Sequence, residues 1–249
     1  MTLSRIWVAT ALAAVAAVGC SDGTSPDKTY FGPSITMGNG TARSYVVLTA
    51  DGVPVSVGVS LSETALTGLP SVGTAYVFAL PSEAPVAPYK HAVINWSPTG
   101  HPPQGVFTVP HFDVHFYIIT TEERVAILLT DAQFGAKTAR LPSAEFVPSG
   151  YVNDRFAIPQ MGVHWTDPSS PAFTGQPFTK EFIYGSWDGA FTFYEPMMAK
   201  SLLDAKPAMS VTPIKLPSRY AKPGVYPTSY TIGYDSNAKE YRIEISGLR

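Results

Sequence analysis

Two of the five histidines in this chain fall within one short run, Pro110-His111-Phe112-Asp113-Val114-His115-Phe116-Tyr117. In an extended strand successive side chains alternate between faces, so His111, Asp113 and His115 share one side and Phe112, Val114 and Phe116 the other. Imidazoles and carboxylates are the groups that ligate divalent metals or carry protons, and here they stand above an apolar floor. Four residues of flat strand separate the two histidine Cα atoms by about 13 Å. An imidazole plus its metal bond reaches only roughly 6 Å from Cα. Either one ion is held by two of the three residues, or a bulge draws both histidines inward.

The remaining ligands must come from elsewhere in the chain. His164 is the first candidate, because Pro159 and Gly162 shape a turn that aims it back at the strand. Glu195, at the end of a hairpin strand, is the second. The expected metal set is His111, His115, His164 and Glu195, with Asp113 and His101 as alternative ligands or as acceptors that orient a histidine. Two or three histidines with one carboxylate and an open position suit Zn, Fe or Mn. Each residue also has a plainer reading. A histidine in a β domain is commonly a hydrogen-bonding residue, Glu195 would favour the dipole of a following helix, and His101 sits in a Pro/Gly turn. His91 has no partner in sequence and receives no role.

The elements that would position these groups are short strands. Tyr45–Leu48 and the alternating Val53, Val55, Val57, Val59 and Leu61 flank an Asp51-Gly52 turn, and a helical turn follows at Glu63–Leu66. Thr74–Leu80 and His91–Trp96 read as strands, and the loop from Ser97 to Gly105 carries His101 into the strand of His111. Thr120 would cap a short helix running to about Asp131. Asp188-Gly189 between Glu181–Gly185 and Ala190–Glu195 marks a type I′ hairpin. Pro196 at a first helical position predicts a helix over Met197–Ala205. Ser210–Leu216, Tyr230–Tyr234 and Glu240–Ile245 close the chain as strands. With 20 glycines and 23 prolines among 249 residues, this is a mainly β chain. The expected architecture is a single β-sandwich or barrel-like domain with a few short helices.

The first 20 residues read as an address. Arg5 precedes an apolar run from Ile6 to Val18, too short for the roughly 20 residues a spanning helix needs. That run leads through Ala17-Val18-Gly19 into Cys20, which resembles the lipobox of bacterial lipoproteins. The resemblance implies a signal peptide over 1–19 and lipidation of Cys20; the polar residues that follow read as a flexible tether to residue 42, and the strand pattern as a β-rich domain over 43–249. It implies an exported protein of the bacterial cell envelope, a lipoprotein with a membrane anchor, facing the periplasm or the cell surface. Cys20 is the only cysteine, so the domain has no disulfide and no thiolate ligand.

A formal charge of −2 with no basic stripe argues against nucleic-acid binding. No phosphate-cradling glycine loop and no Gly-x-Ser-x-Gly elbow is present. The blocks Gly100-His101-Pro102-Pro103, the octapeptide around His111, Met161-Gly162-Val163-His164-Trp165 and Phe193-Tyr194-Glu195-Pro196-Met197 resemble an uncharacterised family of exported bacterial proteins, a domain of unknown function. A weaker likeness to cupins rests on His111/His115 and the Pro/Gly block before His164, although cupins space their first histidines by one residue rather than three. The cupin analogy bears on fold alone.

Two functions from different classes follow. The first is an anchored envelope protein with a divalent metal site, a metal-dependent enzyme whose substrate the sequence does not name. The second is a non-catalytic ligand-binding or assembly module in which the His/Asp cluster is a hydrogen-bond network. The expected partners are the membrane through Cys20 and a small molecule or glycan met by the aromatic residues, with a homo-oligomer as a further expectation.

Overall fold

The fold is a computed structural model that describes residues 27–249; the leader and Cys20 lie outside the described residues. Strands β1 (Lys28–Phe31), β2 (Ile35–Met37), β3 (Gly40–Leu48) and β4 (Pro54–Ser62) come first. Seven more follow: β5 (Thr74–Ala79), β6 (His91–Ser97), β7 (His111–Tyr117), β8 (Val152–Ile158), β9 (Gly162–Thr166), β10 (Lys180–Trp187) and β11 (Ala190–Ala199). The chain ends with β12 (Ser210–Pro213), β13 (Ser229–Asp235) and β14 (Glu240–Ser246). One antiparallel sheet runs β1-β3-β4-β14-β13-β12 with β2 added on β3, and the other runs β5-β6-β7-β11-β10-β9-β8.

Alternation decides which sides of the two sheets meet. Val46, Val57, Val59, Leu61, Ile243 and Ile245 of the first sheet join Ile94, Phe112, Val114, Phe116, Tyr184 and Met198 of the second in one buried core. The second sheet thereby commits its other face to His111, Asp113 and His115. That face is not left to solvent. Phe107, Phe173 and Phe178 from the loops 98–110 and 167–179 pack on Ile183 and Met197, while Ile119 and Met161 pack on Val93, Tyr117 and Phe193. Long loops thus build two small apolar caps over a polar strip.

The expected mainly β, sandwich-like domain is found, and of its two forms it is the sandwich, because neither sheet closes on itself among the described residues. Three expectations are corrected. The tether expected to reach residue 42 is sheet from Lys28 onward, with Tyr30 paired to Val46 and Met37 fully buried; strands of three and four residues are too short to show a period. The helix after Thr120 is α1 (Thr121–Val125), with the capping box formed by Thr120 and Glu123 but an end six residues earlier than expected. A second short helix, α2 (Phe134–Ala139), follows it. The helix over Met197–Ala205 shrinks to α3 (Lys200–Asp204).

Pro196 lies inside β11, opposite Phe182 of β10. Met197 and Met198 point to opposite sides of the sheet and are both buried, a period of two that an internal strand satisfies and a helix does not. The hairpin at Asp188-Gly189 forms as read, with both residues at positive φ.

Candidate metal centre

The register of β7 fixes the geometry. It pairs with β6 without interruption from His91↔Tyr117 to Ser97↔His111, so no bulge draws His111 and His115 together. They serve two separate groups. His115, His164 and Glu195 form one, and His101, His111 and Asp113 the other; in each, three ligand atoms lie within 4.8 Å of one another.

Glu195 reaches its group because β11 lies beside β7. The ladder pairs Tyr194↔Phe116 and Met197↔Asp113, which sets Glu195 opposite His115. His164 arrives from β9, on the far side of β10, where it lies opposite Gly185. A Cβ on Gly185 would run into the Phe193 ring. Glycine there leaves that space to Phe193, which touches both histidines, its ring centre 4.6 Å from that of His115 and 5.4 Å from that of His164. Gly162 acts on the backbone instead: at φ 100° it turns the chain into β9 where a side chain would strike the Ser186 carbonyl.

The Glu195 carboxylate forks between the histidines. Oε1 is 3.5 Å from His115 Nε2 and Oε2 is 3.8 Å from His164 Nε2. Ligands at about 2.1 Å in a tetrahedral shell stand about 3.4 Å apart, so small side-chain rotations suffice to close this set on one ion. His115 is 1% exposed and Glu195 2%, yet both ring nitrogens of His115 and Oε2 of Glu195 lack a hydrogen-bond partner. Unsatisfied buried polar atoms are rare and costly, and here Nε2 of His115 and Oε2 of Glu195 belong to one cluster.

Electrostatics agree with a set of neutral donors. Burial lowers His115 to about 3 and His164 to about 4, leaving both imidazoles unprotonated at neutral pH. Burial, and then the charge of Asp113, pushes the Glu195 carboxyl well above its ordinary range. That shift favours the protonated form, and a bound cation would have to displace that proton.

The second group repeats the fork. Asp113 Oδ1 is 3.1 Å from His111 Nε2 and Oδ2 is 3.5 Å from His101 Nε2. Burial would raise the Asp113 carboxyl, but the His101 and His111 rings close beside it outweigh that and hold it well below the usual carboxylate range. Partial burial would lower His101, but the Asp113 carboxylate beside it outweighs that and shifts it upward.

Several residues with no role in the sequence reading shape the site. His91 stacks on Tyr117 at 4.7 Å and Tyr117 on His115 at 5.6 Å, a three-ring pile along the sheet. Tyr117 Oη donates to the Gln160 carbonyl at 3.0 Å, and Arg124, buried in α1, donates to Gln160 Oε1 at 2.9 Å. Burial and then the Arg124 charge lower His91 to about 4. The alternation His91, Val93, Asn95 was legible as one face of β6, but nothing in sequence said that this face would lie beside His115.

A family model described as TTHB210-like, hypothetical protein TTHB210, matches residues 49–96. The chain is thus similar to an uncharacterised family over β4 to β6, a stretch that reaches the site through His91, Val93 and Asn95 and ends before the run around His111. No curated protein and no solved structure matches the chain.

Proposed function

We propose that this chain is an envelope protein, lipid-anchored through Cys20, whose β-sandwich holds a divalent transition metal between His115, His164 and Glu195. The observation that carries the metal reading is that His115 Nε2 and Glu195 Oε2, buried and without hydrogen-bond partners, belong to one cluster of two imidazoles and one carboxylate. That donor set suits Zn, Fe or Mn. When bound, such an ion supplies a Lewis acid. The chain's own part is to orient His164 through the β9 turn, to seat Glu195 opposite His115, and to exclude water with Phe193 and Met161. The anchor rests on the run ending in Cys20, and no described helix is long and apolar enough to cross a membrane.

The rival is a non-catalytic binding or assembly module with these residues as a hydrogen-bond network. It draws support from Asp113, held ionised by its histidine neighbours. It has no counterpart at Glu195, whose Oε2 has no hydrogen-bond partner. Elemental analysis of the purified full chain beside His115→Ala/His164→Ala tests the two. The loss of one equivalent of metal in the variant is expected. A chain that takes up no Zn, Fe or Mn would move the function to the rival.

A further inference from the structure

The two forks face different surroundings. His164 is 16% exposed and its partners are closed in, whereas His101, on its loop, is 41% exposed. Exposure here does not mean looseness. The loop closes on itself through His101 N–H donating to the Phe107 carbonyl at 2.9 Å and Val106 N–H to that of Pro103 at 3.0 Å. Phe107, itself buried, is clamped edge-on by Phe173 at 5.6 Å and Phe178 at 4.9 Å. This clamp holds the loop over β7 and sets the His101 ring 4.6 Å from that of His111.

Both rings are pinned at the far nitrogen. His111 Nδ1 is 2.7 Å from the Val109 carbonyl and His101 Nδ1 is 2.7 Å from the Pro102 carbonyl. A carbonyl only accepts, so each Nδ1 carries a hydrogen and each Nε2 is left to face Asp113. Fixing a histidine through a backbone carbonyl in this way is the usual support for a metal ligand. His111 Nε2 and Asp113 Oδ1 stand 3.1 Å apart in a fully buried spot, both without a hydrogen-bond partner. A divalent ion set between them would satisfy both atoms and displace any proton held at Nε2.

We infer that His101, His111 and Asp113 form a second divalent-metal site, distinct from the buried centre and open to solvent on the His101 side. It takes a first-row transition ion on two imidazole nitrogens and one carboxylate, with its remaining positions toward water. This is the site from which an ion exchanges and at which an oxygen ligand from solution can enter. It uses different atoms from the centre proposed above, and the two stand or fall separately.

Equilibrium dialysis of the full chain against Zn(II), with His101→Ala and Glu195→Gln beside the wild type, decides between them. His101 is on an exposed loop, so its removal leaves the fold intact; His101→Gln and a thermal midpoint serve as the check. Two zinc ions per wild-type chain are expected, one in each variant, and the weaker-binding equivalent should lose on the order of 100-fold or more in affinity in His101→Ala. One zinc kept by His101→Ala and lost by Glu195→Gln overturns the second site and leaves the buried one. One zinc lost by His101→Ala and kept by Glu195→Gln supports the second site and overturns the first. One zinc lost in either variant means a single shared centre and overturns the inference, and no zinc at all overturns both.

Discussion

Glu195→Gln separates a metal ligand from a structural carboxylate. Glu195 is 2% exposed, and burial followed by the Asp113 charge raises its carboxyl well above the ordinary 4.5. That shift favours the neutral acid, which glutamine matches in charge and shape. In chelator the variant should therefore lie within about 1 kcal/mol of wild type. With free Zn(II) at 100 times the dissociation constant of this centre, wild type gains about 2.7 kcal/mol. For a domain of this size that is roughly 5–10 °C in Tm. A variant whose affinity has fallen 100-fold sits near its own dissociation constant and gains only about 0.4 kcal/mol from this centre, any gain from the His101 group being common to both proteins. Calorimetric melting of both proteins in EDTA and in zinc reads all four values. A chelated wild type already about 3–5 kcal/mol above the chelated variant, with no zinc gain, is the signature of a broken buried ion pair and would refute the reasoning.

Zinc binding to the buried centre should release about one proton, because the Glu195 carboxyl must ionise to become a ligand; calorimetry in buffers of different ionisation enthalpy measures this, and no buffer dependence would contradict it. In chelator, acid should destabilise the fold before carboxylates titrate. His91 is held at about 4 against 6.5 in the unfolded chain, so its contribution is full above 6.5 and lost as pH falls toward 4. Urea midpoints at pH 7.5 and 5 for wild type and His91→Phe check it: the acid loss should shrink in the variant. Gly185→Ala places a methyl group in the Phe193 ring and should cost about 1–3 kcal/mol while weakening zinc binding through displaced His164, whereas an unchanged melting point would mean that Phe193 can move aside. Phe112→Ala, on the opposite face of the same strand, should cost about 3–5 kcal/mol by chemical denaturation. A loss below 1 kcal/mol would contradict its place in the shared core.

The strand of His111 and its two faces were legible along the chain, because alternation is local: a period of two assigns sides without knowledge of any neighbour. So were the Asp188-Gly189 hairpin and the Thr120 cap, whose chemistry lies within four residues. The distance limit within β7 already said that His111 and His115 could share an ion only through a bulge, and the regular register keeps them apart. Which histidine goes with which carboxylate emerged only from the packed sheet. That choice depends on β11 lying beside β7, on β9 following beyond β11 and β10, and on Gly185 leaving room between them. Packing also turned Pro196 from a helix start into the interior of a strand, because burial on both faces outweighs the local preference of one proline. Strand order is a property of contacts far apart in sequence, so no window along the chain contains it.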